Sequence, residues 1–100
     1  MSVNIQQSIS IKVLVGQTKK YQVKFYDFSD NLADPAEAIA KIYNAQKTLL
    51  ETINFTGNKS SVGVYWFEKD WNTEGQFIVE VSDGVGEKSV FRFVVQVKFL

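Results

Sequence analysis

The sequence predicts an all-β domain, a two-sheet antiparallel β-sandwich of about seven strands. Three observations predict it. Runs that alternate apolar and polar residues recur along the whole chain, the period of half-buried strands. Gly, Asn and Asp signals separate those runs at intervals of about a dozen residues. The composition is 45% hydrophobic and 14% aromatic, enough for a dense core and too apolar for a disordered chain. At 100 residues the chain has room for one core, so residues 1–100 form a single domain.

The elements follow in order. In "SISIKVLV", Ile9, Ile11, Val13 and Val15 share a face, and Gly16-Gln17 breaks the run. In "KYQVKFYDF", Tyr21, Val23 and Phe25 oppose Gln22, Lys24 and Tyr26. The stretch "DNLADPAEAIAKIYN" reads two ways. As a helix it has Asp34 for an N-cap, Pro35 in the first turn and Glu37 in a capping box, but its apolar stripe of Ala36, Ile39, Ala40 and Tyr43 is thin. As a strand after an Asp34-Pro35 turn it places Ala38, Ala40 and Ile42 on one face, small residues suited to a covered strand beneath bulky Phe. The strand reading is preferred. "TLLETINF" has Leu49, Ile53 and Phe55 in phase with Glu51 interrupting, and "TGNKSS" separates it from "SVGVYWF". "QFIVEVS" sets Phe77, Val79 and Val81 against Gln76, Glu80 and Ser82. "SDGVGEK" is the clearest hairpin signal, and in "SVFRFVVQVKF" the residues Phe91, Phe93, Val95, Val97 and Phe99 share one face.

Charge and composition narrow the function classes. Eleven basic residues match eleven acidic ones, whereas phosphate backbones call for a basic surface; nucleic acid is not an expected partner. Zero net charge permits close packing against copies of the chain or another protein. There is no Cys and no His, so thiolate chemistry and the commonest general base are missing. No phosphate loop or nucleophile elbow occurs. The expectation is a non-enzyme without a cofactor. No segment reaches the roughly 18 apolar residues of a membrane span, and the N-terminus lacks a secretion signal, so synthesis in the cytoplasm is expected.

Three groups of residues are candidates for binding. Asp27, Asp30, Asn31 and Asp34 supply the oxygens that calcium takes, although Asp and Asn are also turn residues that bond their own backbone. Tyr65, Trp66 and Trp71 either fill the core, anchor a protein interface or stack on a sugar, with Trp71 the likelier interface residue. The long last strand carries Arg92, Val94 and Leu100 on its second face. At a sheet edge it would offer itself for pairing with another chain; inside the sheet it would lie between "QFIVEVS" and the first strand. The tripeptides at Asn54 and Asn58 that fit a glycosylation pattern are expected by chance.

Several of these elements carry a resemblance. Asp30-Asn31 before Asp34-Pro35, the alternating "AIAKIY", the strand start Gly63-Val64-Tyr65 and Gly75-x-Phe77 before the hairpin resemble the immunoglobulin-like domains of bacteriophage structural proteins and related bacterial surface proteins. The resemblance spans roughly residues 20 to 99. It implies an immunoglobulin-like sandwich and a structural or assembly role in a virion, as a tail, baseplate, neck or head-surface component. Its partners would be other virion proteins or copies of itself. A module binding glycans or cell surfaces is the alternative. One departure stands out: where such domains often carry Asp-x-Gly-x-Tyr, this chain has Thr73-x-Gly75-x-Phe77, so the corner keeps its packing but loses its hydroxyl.

Overall fold

Alternating side chains become a sandwich only when two apolar faces meet, and here each sheet offers one. The computed structural model describes residues 2–5, 10–27, 29–84 and 90–99, with side chains for residues 12–27, 29–84 and 91–99. Its strands are β1 (Ser2–Ile5), β2 (Ser10–Leu14), β3 (Gln17–Tyr26), β4 (Ile39–Asn44), β5 (Leu49–Asn54), β6 (Lys59–Ser61), β7 (Val64–Trp71), β8 (Gly75–Ser82) and β9 (Val90–Lys98). One sheet has the order β1-β3-β7-β6 and the other β2-β9-β8-β4-β5. Among the described residues there is no helix.

Two details are finer than the sequence expectation. The described residues form nine strands rather than about seven, because the N-terminal segment contributes to both sheets and because the three-residue β6 is too short to show a period. The pairing is antiparallel except between β2 and β9, which run parallel. β1 lies antiparallel on β3, so β1 and β2 belong to different sheets.

The disputed stretch is extended. β4 pairs antiparallel with β5 on one side and β8 on the other. Ala40 and Ile42 face the core at 0% and 2% exposure. The strand begins at Ile39; Ala38 precedes it yet is also buried, its N–H donating to Thr56 Oγ1 at 3.0 Å. A helix would have turned half of these small residues toward water.

The core is aromatic and crosses between the sheets. Tyr21 stacks on Phe67 of its own sheet at 5.0 Å and meets Phe93 of the other at 5.4 Å. Trp71 meets Phe77 across the gap at 5.3 Å. Val23, Val79, Val81 and Val95 fill the remaining space, each fully buried. With no cysteine in the chain, apolar burial holds the layers together, at about 25 cal/mol per Å². Val13 and Val15 join this core as expected, one buried and one partly so; Ile9 and the side chain of Ile11 lie outside the described residues.

Two phase assignments change. The pairing of β4 with β5 shifts between Ile42 and Tyr43, with Ile42 opposite Glu51 and Tyr43 opposite Leu49. Leu50 is the extra residue of this bulge, so Leu49 leaves the face of Ile53 and is 49% exposed. At the far end, Phe99 lies past the last pairing and is 74% exposed. Asp83-Gly84 begins the β8–β9 connection, with Gly84 at φ 78°; Gly86 of the predicted hairpin is outside the described residues.

Candidate functional site

The aromatic candidates separate by strand phase. β7 alternates so that Tyr65, Phe67 and Trp71 point inward, at 4%, 1% and 2% exposure. Tyr65 and Trp71 are therefore core residues rather than exposed aromatic platforms. Trp71 is fixed further by its indole N–H, which donates to the Tyr21 hydroxyl at 3.0 Å. The polar tip of each ring finds its partner inside the core. Desolvation raises the Tyr21 hydroxyl pKa above its ordinary value, with the Trp71 bond opposing. Trp66 does point outward and is half-buried. The Lys20 ammonium sits over its ring at 4.5 Å, a cation–π contact that occupies one face of the indole.

The acidic loop is built from turns. Asp27 Oδ1 accepts the backbone N–H of Ser29 at 2.9 Å and of Asn31 at 3.0 Å, the side-chain mimic of a backbone turn. Asp30 takes φ 62° inside that turn. Asp34 faces elsewhere. Its Oδ1 accepts Gly63 N–H at 2.8 Å and the Tyr65 hydroxyl at 3.2 Å, and its Oδ2 accepts the Lys59 ammonium at 2.7 Å. Lys59 chiefly, then the Gly63 N–H, hold the Asp34 carboxyl below its ordinary value. Burial and the Asp34 bond together push the Tyr65 hydroxyl up. The four calcium candidates thus act separately, Asp27 shaping its own loop and Asp34 tying that loop to the β6–β7 turn. Among the described residues no three His, Cys, Asp or Glu converge as metal ligands would.

The last strand is interior. β9 lies between β2 and β8, as the interior reading of the sequence had it, so its backbone is paired on both sides and it offers no edge for another chain. The free edges of its sheet are β2 and β5. Arg92 and Val94 still face out from the sheet, while Leu100 is outside the described residues.

Among the concave regions of the described residues two gather charged and apolar side chains together, and neither was visible in the sequence. The first is a lateral slot of about 340 Å³ where the sandwich opens between β5 and the part of β7 beyond β6. Leu50, Trp71 and Phe77 line it, and Lys69 Nζ donates to Glu51 Oε1 across it at 2.6 Å. Leu50, which borders it, is 53% exposed, and its neighbour Leu49 on β5 is 49% exposed.

The second is a cleft of about 420 Å³ on the outer face of the five-stranded sheet, lined by Tyr43, Lys47, Ile78, Glu80 and Arg92. Register assembles it. Tyr43 stands opposite Ile78, and Ile78 opposite Val94. In the next row Lys41 stands opposite Glu80, and Glu80 opposite Arg92. Arg92 Nε donates to Glu80 Oε2 at 2.7 Å, with the Glu80 side chain 10% exposed and that of Arg92 65%. Lys47 enters from the β4–β5 turn. Of these residues only Arg92 was a sequence candidate. The signal available for Lys47 was its place in a tight turn, where Gly or Asn is usual.

The fold has known counterparts. No protein-family model matches the chain, and no curated protein matches it. Solved structures do match. The filamin domain of Lin-41 superimposes with a TM-score of 0.72 at 11% identity, covering 96% of this chain and 91% of that one. The CARDB domain of a Pyrococcus furiosus protein, solved in complex with di-metal ions, gives 0.56 at 19% identity, with 97% and 86% covered. Superoxide reductase (neelaredoxin) from Ignicoccus hospitalis gives 0.55 at 12% identity, with 98% and 81% covered. At such identities the likeness concerns the fold alone. With both sheets and their strand order in place, the chain is an immunoglobulin-like β-sandwich of the kind seen in filamin domains.

Proposed function

We propose that this chain is a non-enzymatic assembly module of a bacteriophage particle, a tail, baseplate, neck or head-surface component that works through protein–protein contacts. The observation that carries the proposal is the exposed leucine pair on β5, of which Leu50 borders the lateral slot. Leu49 and Leu50 sit side by side on an edge strand, about half exposed, where solvated edges normally carry charge. Burying two leucines against a neighbour contributes a few kcal/mol, and many symmetric copies make weak contacts sufficient. The resemblance of residues 20 to 99 to phage immunoglobulin-like domains supports the particle as the setting.

The test is to purify the particles produced by the replicon that carries this gene and to look for the chain by mass spectrometry and immunogold labelling. Stoichiometric copies are expected in intact particles, and an L49K/L50K variant should fold normally yet fail to incorporate. A chain absent from the particles, or incorporated equally well with both leucines replaced, refutes the reading.

A further inference from the structure

The cleft on the outer sheet face carries chemistry beyond an assembly role, and it stands independently of that role. Among the described residues Arg92 is held at one point. Glu80, nine-tenths buried, accepts its Nε–H and so fixes the plane of the guanidinium. The two terminal nitrogens of Arg92 remain to donate in parallel, the geometry that matches a carboxylate. Tyr43 and Ile78 supply an aromatic and an aliphatic wall. Lys47 adds a second positive charge to that of Arg92 beside the Glu80 carboxylate, so the lining is cationic on a chain of zero net charge.

Lys47 is the independent observation. It takes φ 66°, a left-handed conformation that costs a side-chain-bearing residue about 1 kcal/mol or more. The turn enforces that conformation: Asn44 Oδ1 accepts the N–H groups of Gln46 and Thr48, each at 2.9 Å, and the Asn44 carbonyl accepts that of Lys47 at 2.9 Å. Glycine would fit this position without strain. A lysine kept there, with its side chain lining the cleft, is better explained by what its ammonium meets than by the turn.

We infer that the Tyr43–Lys47–Ile78–Glu80–Arg92 cleft is a binding site for a carboxylate-bearing group, bound through the Arg92 guanidinium and the Lys47 ammonium. An acidic sugar and an acidic side chain of a protein partner share that chemistry. Titration of the full-length protein with glucuronate, N-acetylglutamate and uncharged glucose distinguishes them, read by NMR shifts of Tyr43, Ile78 and the Arg92 Nε–H. A saturable response to either acid, complete by about 10 mM for a site of ~1 mM affinity, is expected. Glucose should give none. Glucuronate alone responding assigns a sugar, N-acetylglutamate alone a protein side chain. R92Q should abolish the response. K47G should weaken it about tenfold while melting no lower than the parent, which separates lost binding from lost folding. No saturable shift with either acid, a response that survives R92Q, an affinity unchanged in K47G, or a K47G variant that melts below the parent overturns the proposal.

Discussion

Tyr21→Phe tests whether the core is held by the tyrosine–tryptophan pair. The substitution removes one oxygen and leaves the ring that stacks on Phe67 and Phe93. What it strands is the Trp71 indole N–H, whose acceptor is the Tyr21 hydroxyl at 3.0 Å. Trp71 is 2% exposed and Tyr21 1%, so water does not take the hydroxyl's place. An unsatisfied buried donor costs about 1–3 kcal/mol, whereas a surface Tyr→Phe change is usually within about 0.5 kcal/mol of neutral. Urea denaturation followed by circular dichroism measures the difference. With a slope near ~1 kcal/mol per M for a small domain, the midpoint should fall by about 1 M or more. Trp71→Phe strands the other partner and also removes indole volume. The double variant should be less destabilised than the sum of the two single changes, by about 1 kcal/mol or more, because no unpaired group is left behind. A Tyr21→Phe midpoint equal to the parent's, or strict additivity in the cycle, would refute the bond as a determinant of stability.

Other outcomes follow from the same contacts. Gly63→Ala should destabilise by about 2 kcal/mol or more, because a Cβ there would meet backbone atoms Ala33 N at 2.8 Å and Phe25 O at 2.9 Å and Gly63 has φ 72°; thermal melting checks this. Asp34→Asn should flatten the acid limb of the stability profile. The Asp34 pKa is lowered from 3.8, so its contribution is present above that value and lost as pH falls through the lower folded one; parallel urea titrations of parent and variant on acidification would contradict it. Tyr21 works in the alkaline direction. Its pKa is raised above 10.0, so the folded state keeps a proton that the unfolded chain releases, and stability should decline above pH 10 less steeply in Tyr21→Phe than in the parent. Glu80→Gln should weaken the acid response of the cleft by NMR while leaving the β8–β9 amide pattern intact, since Glu80 acts through the orientation of Arg92.

The core faces were legible in the sequence, because period-two alternation is a local property of the chain. Tyr21, Val23 and Phe25, or Phe93, Val95 and Val97, announce their inward face without reference to any other strand. The same parity identifies Trp66 as outward and Tyr65 as inward only after the direction of the whole strand is known, and that depends on which sheet covers it. Glu51 shows the limit of local pattern. It reads as an interruption of an apolar face, yet the bulge at Leu50 keeps it in register with Ile42, where it bridges to Lys69 on the opposite sheet.

By itself the sequence determined that this protein is two pleated layers around an aromatic core, and it favoured a strand over a helix for the stretch after Asp34-Pro35, whose bounds the structure sets at Ile39–Asn44. Tertiary structure alone decided that β9 is shielded on both sides, that Trp71 is bonded inside the core, and that Tyr43, Lys47, Glu80 and Arg92 meet on one outer face. The physical reason is range. Alternation and turn chemistry act over a few residues, whereas strand order and register bring together groups dozens of positions apart, and no local pattern encodes which strand becomes another's neighbour.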